Sequence, residues 1–253
     1  MRRAGAMATI LGALACLGVG SVSLRSVRAE PLLVDLSDHL VKITAGFVGT
    51  DVLVFGAISG PGDIVVVVRG PAKDLTVRKK SRVAGMWLNC DSLTFVRAPT
   101  FYSVAATRPL AEFAPLALLQ RQGIGVEHLR LEERGAATEG EITEFRRGLV
   151  RNKQGEGLYA RDVAKIAVLA GGLFRADLSF PANVPTGAYT VEVYLIRDGE
   201  VASAQTTPLV VSNVGVGADV HFFAHSHAAL YGVLAIFLAL FAGWAASVAF
   251  RRG

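Results

Sequence analysis

The sequence predicts a mainly β chain, a β-sandwich that carries a helical insertion and hangs from one C-terminal transmembrane helix. Three observations carry this reading. Short β-branched runs broken by Gly and Pro occupy both flanks of the chain. Between about residues 109 and 160 the apolar residues fall three and four apart instead. Ala228–Phe250 is an unbroken apolar run of 23 residues with Arg251 and Arg252 directly behind it. At about 1.5 Å per residue such a helix crosses the roughly 30 Å hydrocarbon core of a bilayer.

In chain order, Arg2 and Arg3 form a positive start, and residues 4–24 carry no charge. Val27-Arg28-Ala29 has the small-x-small form of a cleavage site, so residues 1–29 read as a signal peptide and the mature chain as starting at Glu30. Two alternatives stay open. Ala13-Leu14-Ala15-Cys16 is a loose lipoprotein box, and the uncharged run could instead stay as a second anchor. All three place residues 30–222 on the outer side.

Residues 30–214 form the outer domain. Its first strands are expected at residues 41–44, 51–58 and 63–69, separated by Gly46, Gly49-Thr50 and Gly60-Pro61-Gly62. Ile64-Val65-Val66-Val67-Val68 is apolar on both faces and suits a central strand. Leu75, Val77 and Lys79 alternate with Thr76, Arg78 and Lys80, which suits a strand with one wet face. Further strands are expected at residues 86–88, 93–96 and 101–104, with Trp87, Phe101 and Tyr102 in the core or at its rim. Cys90 is alone in the mature chain, so no internal disulfide forms, and it is expected as a small buried hydrophobe.

The middle segment reads as two or three helices. Leu110, Phe113, Ala117 and Gln120 share one stripe, and Ile142, Phe145 and Leu149 share another. Pro109 suits a first helical turn, and a loop is expected over residues 134–140. Strands then return. Phe174, Ala176, Leu178 and Phe180 alternate with polar residues, as do Tyr189, Val191, Val193 and Leu195. Asp198-Gly199 is a two-residue hairpin turn leading into residues 201–211. Residues 215–227 are a juxtamembrane linker, and 251–253 a cytoplasmic tail marked by its arginines.

Roughly nine short strands at this spacing suggest a sandwich. Pro185-Thr186-Gly187-Ala188-Tyr189-Thr190-Val191 resembles the penultimate strand of immunoglobulin-like domains, where a Gly-x-Tyr start places a corner tyrosine. That resemblance implies an immunoglobulin-like β-sandwich interrupted by the helical segment. The rival arrangement is two small β domains separated by a helical linker.

The charge balance excludes one class of partner. The chain carries 26 Lys+Arg against 21 Asp+Glu. Arg2, Arg3, Arg25, Arg28, Arg251 and Arg252 belong to the ends, which leaves 20 basic against 21 acidic residues outside the membrane. The basic excess is topological signalling, not a footprint for phosphates, so no nucleic-acid partner is expected.

Several segments together carry a family resemblance. They are Asp35-Leu36-Ser37-Asp38-His39, Gly46-Phe47 with Gly49-Thr50-Asp51, Arg69-Gly70-Pro71, Trp87-Leu88-Asn89, Arg151-Asn152-Lys153-Gln154, Phe180-Pro181-Ala182-Asn183-Val184-Pro185 and Tyr231-Gly232. In that order the chain resembles a family of alphaproteobacterial transmembrane proteins of unknown function, over most of its mature length. The resemblance implies a leader, a periplasmic domain and one C-terminal span, with gene neighbours similar to sulfite or organosulfonate exporters. It implies no catalytic residue.

Three sets of residues are candidate sites. Ala235, Ala239, Gly243 and Ser247 recur every four residues along the membrane helix, and small residues at that spacing let a second helix approach, either another copy or a different integral membrane protein. The bland reading is a plain anchor. His221 and His225 lie one turn apart near Asp219, a workable spacing for two metal ligands, while His227 fits that face poorly. An interfacial polar collar, or a proton sensor, reads the same residues differently. Arg147 and Arg151, beside Arg146 and Lys153, are one helical turn apart and could grip one oxyanion or a partner surface. The bland reading pairs this cluster with Glu141, Glu144 and Glu156 on a solvated face. No nucleophile elbow, His-Glu-x-x-His, phosphate loop or dinucleotide fingerprint occurs. A membrane-anchored accessory or interaction protein without cofactor or catalytic residue is therefore expected, acting beside an integral membrane partner such as a transporter. A tethered binding module for a small anion or metal ion is the alternative.

Overall fold

A computed structural model of the chain describes residues 32–83, 85–214 and 227–250. The expected leader, Cys16 and the expected cytoplasmic tail with Arg251 and Arg252 lie outside the described residues, as do His221 and His225.

One antiparallel sheet has the order β1-β3-β11-β10: β1 (Leu32–Leu36), β3 (Gly49–Ile58), β11 (Leu173–Pro181) and β10 (Ala167–Val168). Its alternation is as the sequence reads. Leu32, Val34 and Leu36 of β1, and Phe174, Ala176, Leu178 and Phe180 of β11, point inward. A second sheet has the order β2-β13-β12-β4-β7-β9: β2 (Leu40–Ile43), β13 (Glu200–Asn213), β12 (Gly187–Arg197), β4 (Asp63–Arg69), β7 (Tyr102–Ala106) and β9 (Ala164–Lys165). Within it β2 runs parallel to β13, with Leu40 opposite Val210, and β9 runs parallel to β7. The two sheets close face to face on one apolar core that includes Val54, Val66, Phe180, Tyr189 and Leu209.

Strands on either side of the middle segment share these sheets, because β3 pairs with β11 and β4 with β12. Two separate β domains would not have this pairing. At the end of β12, Asp198 and Gly199 both take positive φ, 49° and 76°, as a two-residue hairpin with the right twist requires. Gly187 opens β12 at φ 145°, and a Cβ there would stand 2.8 Å from Pro71 Cγ. Tyr189 Oη donates to Pro185 O at 2.6 Å, fixing the corner that leads into the strand.

β4 is the shared wall of the molecule. Ile64, Val65, Val66, Val67 and Val68 are all fully buried. The even-numbered side chains enter the sandwich core, and Val65 and Val67 enter a second core on the other side of the sheet. That second core is roofed by α1 (Leu116–Gln122), α2 (Glu139–Gly155) and a third sheet of β5 (Ala72–Val83), β6 (Met86–Pro99) and β8 (Glu132–Arg134). Phe95, Leu118, Ile124, Phe145 and Leu149 supply much of it. Overall the chain is mostly strand, with one C-terminal helix, α3 (Ala228–Phe250), long and apolar enough to cross a membrane.

The middle segment holds helices α1 and α2 with a break between β8 and α2, as the sequence reads. Three expectations need correction. The stripe Leu110, Phe113, Ala117 and Gln120 is not one face. Pro115 caps the start of α1 and cannot donate to the turn before it, so the helical phase restarts and α1 buries Leu118 and Leu119 instead. Trp87 is 68% exposed, and Cys90 is exposed too. Both lie on the outer half of the β5–β6 hairpin, where neither side chain is covered by another layer; Phe101 and Tyr102 are buried as expected.

Candidate functional site

α2 sets the geometry of the arginine cluster. Thr138 caps it reciprocally: its Oγ1 accepts from Glu141 N at 3.4 Å, and its N–H donates to Glu141 Oε2 at 2.8 Å. The Thr138 N–H and the Thr138 hydroxyl, which also donates to Glu141 Oε2 at 2.8 Å, hold the Glu141 carboxyl below its ordinary range. Phe145 and Leu149 then turn into the second core, with Ile142 packed beside them. The neighbouring stripe, Thr143, Arg146, Arg147, Val150, Arg151 and Gln154, faces a cleft of about 540 Å³ that Val126 and Glu127 complete.

The sequence-predicted pair Arg147 and Arg151 thus lines one cleft, and Arg146 joins it. The expected acidic partners are mostly engaged elsewhere. Glu144 pairs with Lys79 at 2.8 Å, Glu141 with the cap, and only Lys153 with Glu156, at 2.7 Å, follows the bland reading. Among the described residues no ion pair reaches Arg146, Arg147 or Arg151, and Arg146 Nε is buried without a hydrogen-bond partner. Three guanidiniums facing one acid are suited to a small oxyanion or an acidic surface.

A second polar cluster is structural. Arg69, at the end of β4, donates through Nη1 to Glu192 of β12. Its Nη2 donates to Gln122 O at 2.7 Å and Gly123 O at 3.1 Å, the carbonyls that end α1. Tyr102 Oη donates to Gly123 O and accepts from Gly125 N, each at 2.8 Å. Burial pushes the Tyr102 phenol up to about 12, even though the Arg69 charge pulls it down. Tyr194 Oη donates to Glu192 Oε2 at 2.7 Å. This network rivets the helical layer to the sandwich, and sequence reasoning missed it because its partners lie far apart in the chain.

The outer face of the first sheet was also missed. Leu33, Leu53, Phe55, Ala57, Leu169 and Leu173 form an apolar cleft of about 530 Å³, edged by Asp35 and Arg175. Leu33 is 65% and Leu173 51% exposed. The available signal was apolar residues on both faces of residues 51–58, a pattern that belongs to a covered strand. Asp35, Asp38, His39 and Asp51 do not assemble into one site. His39 Nε2 meets Asp35 at 3.1 Å, whereas Asp51 accepts from Ser179 Oγ at 2.6 Å. Ser37 Oγ donates to Asp38 Oδ2 at 3.3 Å and accepts from Leu53 N at 3.1 Å.

On α3, Ala235, Ala239, Gly243 and Ser247 are exposed, and a Cβ at Gly243 would meet nothing within 4 Å. The stretch Ala229–Val248 has a mean hydropathy of 2.1 and is not buried against the rest of the chain. The family described as "Putative transmembrane protein (Alph_Pro_TM)" matches residues 31–252, which take in both the sandwich and this helix. The chain belongs to this family. Its description names a transmembrane protein and no activity, so function in Alph_Pro_TM has to be argued from the sites themselves. No curated protein is similar enough to match. Among the described residues no group of three His, Cys, Asp or Glu is placed to hold a metal ion, and the histidine pair lies outside them.

Proposed function

We propose that this chain is a membrane-anchored periplasmic interaction protein, an immunoglobulin-like domain held at the bacterial inner membrane beside an integral membrane partner such as a transporter. The exposed apolar face of the first sheet carries the reading. Soluble surfaces scatter large apolar residues singly, whereas Leu33, Phe55 and Leu173 lie in adjoining rows of one sheet, which marks an interaction surface. The immunoglobulin-like assignment draws on the strand order, the parallel β2–β13 pair and the Tyr189 corner. The orientation draws on Arg251 and Arg252 behind the span, and the removable leader on Val27-Arg28-Ala29. The open Gly243 face is where a partner helix would pack. A role in binding, not catalysis, follows from the absence of a catalytic motif in the sequence.

The test is gentle affinity purification of the full-length chain from its own membranes, beside Phe55→Asp and Gly243→Leu versions. One integral membrane protein is expected with the wild type and depleted in both variants. Co-purification that ignores both substitutions, or no specific companion at all, would overturn the reading. The unpaired arginines of the α2 cleft favour a second reading, a tethered anion-binding module. Calorimetric titration with sulfate and phosphate is then expected to give binding that Arg147→Glu with Arg151→Glu abolishes. Equal heats from both proteins would dismiss it.

A further inference from the structure

We propose that the tip of the β5–β6 hairpin docks on the anionic phospholipid surface of the bilayer in which the chain is anchored. The hairpin outruns the layers that hold its root. Leu93 and Phe95 bury its root in the second core, but from Met86 to Ser92 every residue is exposed. At about 3.3 Å per residue the free part stands roughly 20 Å beyond the root. A two-stranded ribbon alone in water is marginal, so such a projection is maintained for contact with something else.

Its chemistry selects the contact. Met86, Trp87 and Leu88 are consecutive at the tip, 62%, 68% and 46% exposed. Arg82 stands directly opposite Trp87, and Lys80 opposite Asn89, so cations and indole share one face of the ribbon while Ser81 and Leu88 share the other. Arg78, Lys80 and Arg82 have no ion-pair partner among the described residues, and Asp91 is the one acid in the free part. An indole seeks the headgroup boundary, flanking cations meet anionic headgroups, and a Met-Leu pair enters the acyl edge. A folded protein partner would demand a matching pocket for apolar side chains on both faces of the ribbon; a lipid interface accepts them all round.

The tether supplies proximity. Pro71, just before β5, lies against Gly187, and Gly187 pairs with Val211 near the end of β13. The hairpin therefore springs from the end of the sandwich at which the chain leaves for α3. Residues 214–227 span at most about 50 Å, which keeps the ribbon within reach of the leaflet.

The experiment reconstitutes the full chain carrying Trp244→Phe, leaving Trp87 as the sole indole, into phosphatidylcholine vesicles with and without one-third phosphatidylglycerol. Emission and quenching by brominated lipid are read. Blue-shifted, lipid-quenched Trp87 emission is expected in anionic vesicles. Lys80→Glu with Arg82→Glu should reduce the docking equilibrium constant by at least tenfold, since each cation near an anionic surface is worth about fivefold. High salt should act in the same direction. Emission typical of water and unquenched in both compositions would overturn the proposal. So would Trp87 protected in native membranes by a crosslinked protein but never by lipid. Because only lipid and this chain are present in the vesicles, the outcome is separate from whether a membrane partner exists.

Discussion

Removing Glu192 alone should cost more than removing it together with Arg69. The two side chains are 23% and 22% exposed, and they share one hydrogen-bonded pair at the junction of β4, β12 and α1. In Glu192→Leu the guanidinium keeps the carbonyls of Gln122 and Gly123 but loses its counter-charge, and Tyr194 Oη loses its acceptor. Breaking a fully buried pair costs about 3–5 kcal/mol; partial solvation here brings the expectation to about 2–3 kcal/mol. Arg69→Met strands the carboxylate and uncovers the end of α1, for a similar loss. The double replacement leaves no unpaired charge, so about 1–2 kcal/mol is expected in place of the sum, a coupling of about 3 kcal/mol. Urea denaturation of the full-length protein in detergent, followed by near-ultraviolet circular dichroism of the buried tyrosines, measures all four states. Two single losses that simply add in the double variant, or a single loss below about 0.5 kcal/mol, would refute the rivet.

Two further predictions use other parts of the fold. Asp63 accepts from Arg108 Nε and Nη2 at 2.8 and 2.7 Å, and that bond holds its carboxyl below the ordinary 3.8 despite partial burial. Its contribution to stability is complete above the unfolded value and disappears as pH falls through the lower folded one, so acid-unfolding curves of wild type and Asp63→Asn should converge below that point and separate above it. Parallel curves throughout would show that Asp63 contributes no such pH dependence. Tyr189→Phe removes the bond to Pro185 O and should cost about 1 kcal/mol with no change in denaturant slope, measured by the same urea titration.

What the sequence made legible was local. Alternation placed β11 and β12 correctly face by face, five consecutive β-branched residues marked β4 as the central strand, and Asp198-Gly199 named its own turn. α2 showed its buried stripe at Phe145 and Leu149, and with it the cleft pair Arg147 and Arg151. What was illegible depends on distant partners. Arg69 gives no local sign that Glu192 awaits it, and Lys79 none that it takes Glu144 from the arginines. Trp87 and Cys90 read as interior because apolar strand residues usually have a layer above them; here the strand outruns the layer. The same excess marks Leu33 and Phe55, apolar residues on a face that the rest of the chain leaves bare.

The parallel pairing of β2 with β13 has a mechanical consequence. Val210 N donates to His39 O and Val214 N to Ile43 O, each at 2.9 Å, across two strands that run the same way. Tension entering β2 from its start and leaving β13 towards the membrane pulls the strands past each other lengthwise. The bonds between them are then strained together, not peeled one after another as in an antiparallel zipper. The joint at which this domain hands force to its anchor is thus arranged to resist shear, so a pull on the tether should reach the sandwich before it frees the last strand.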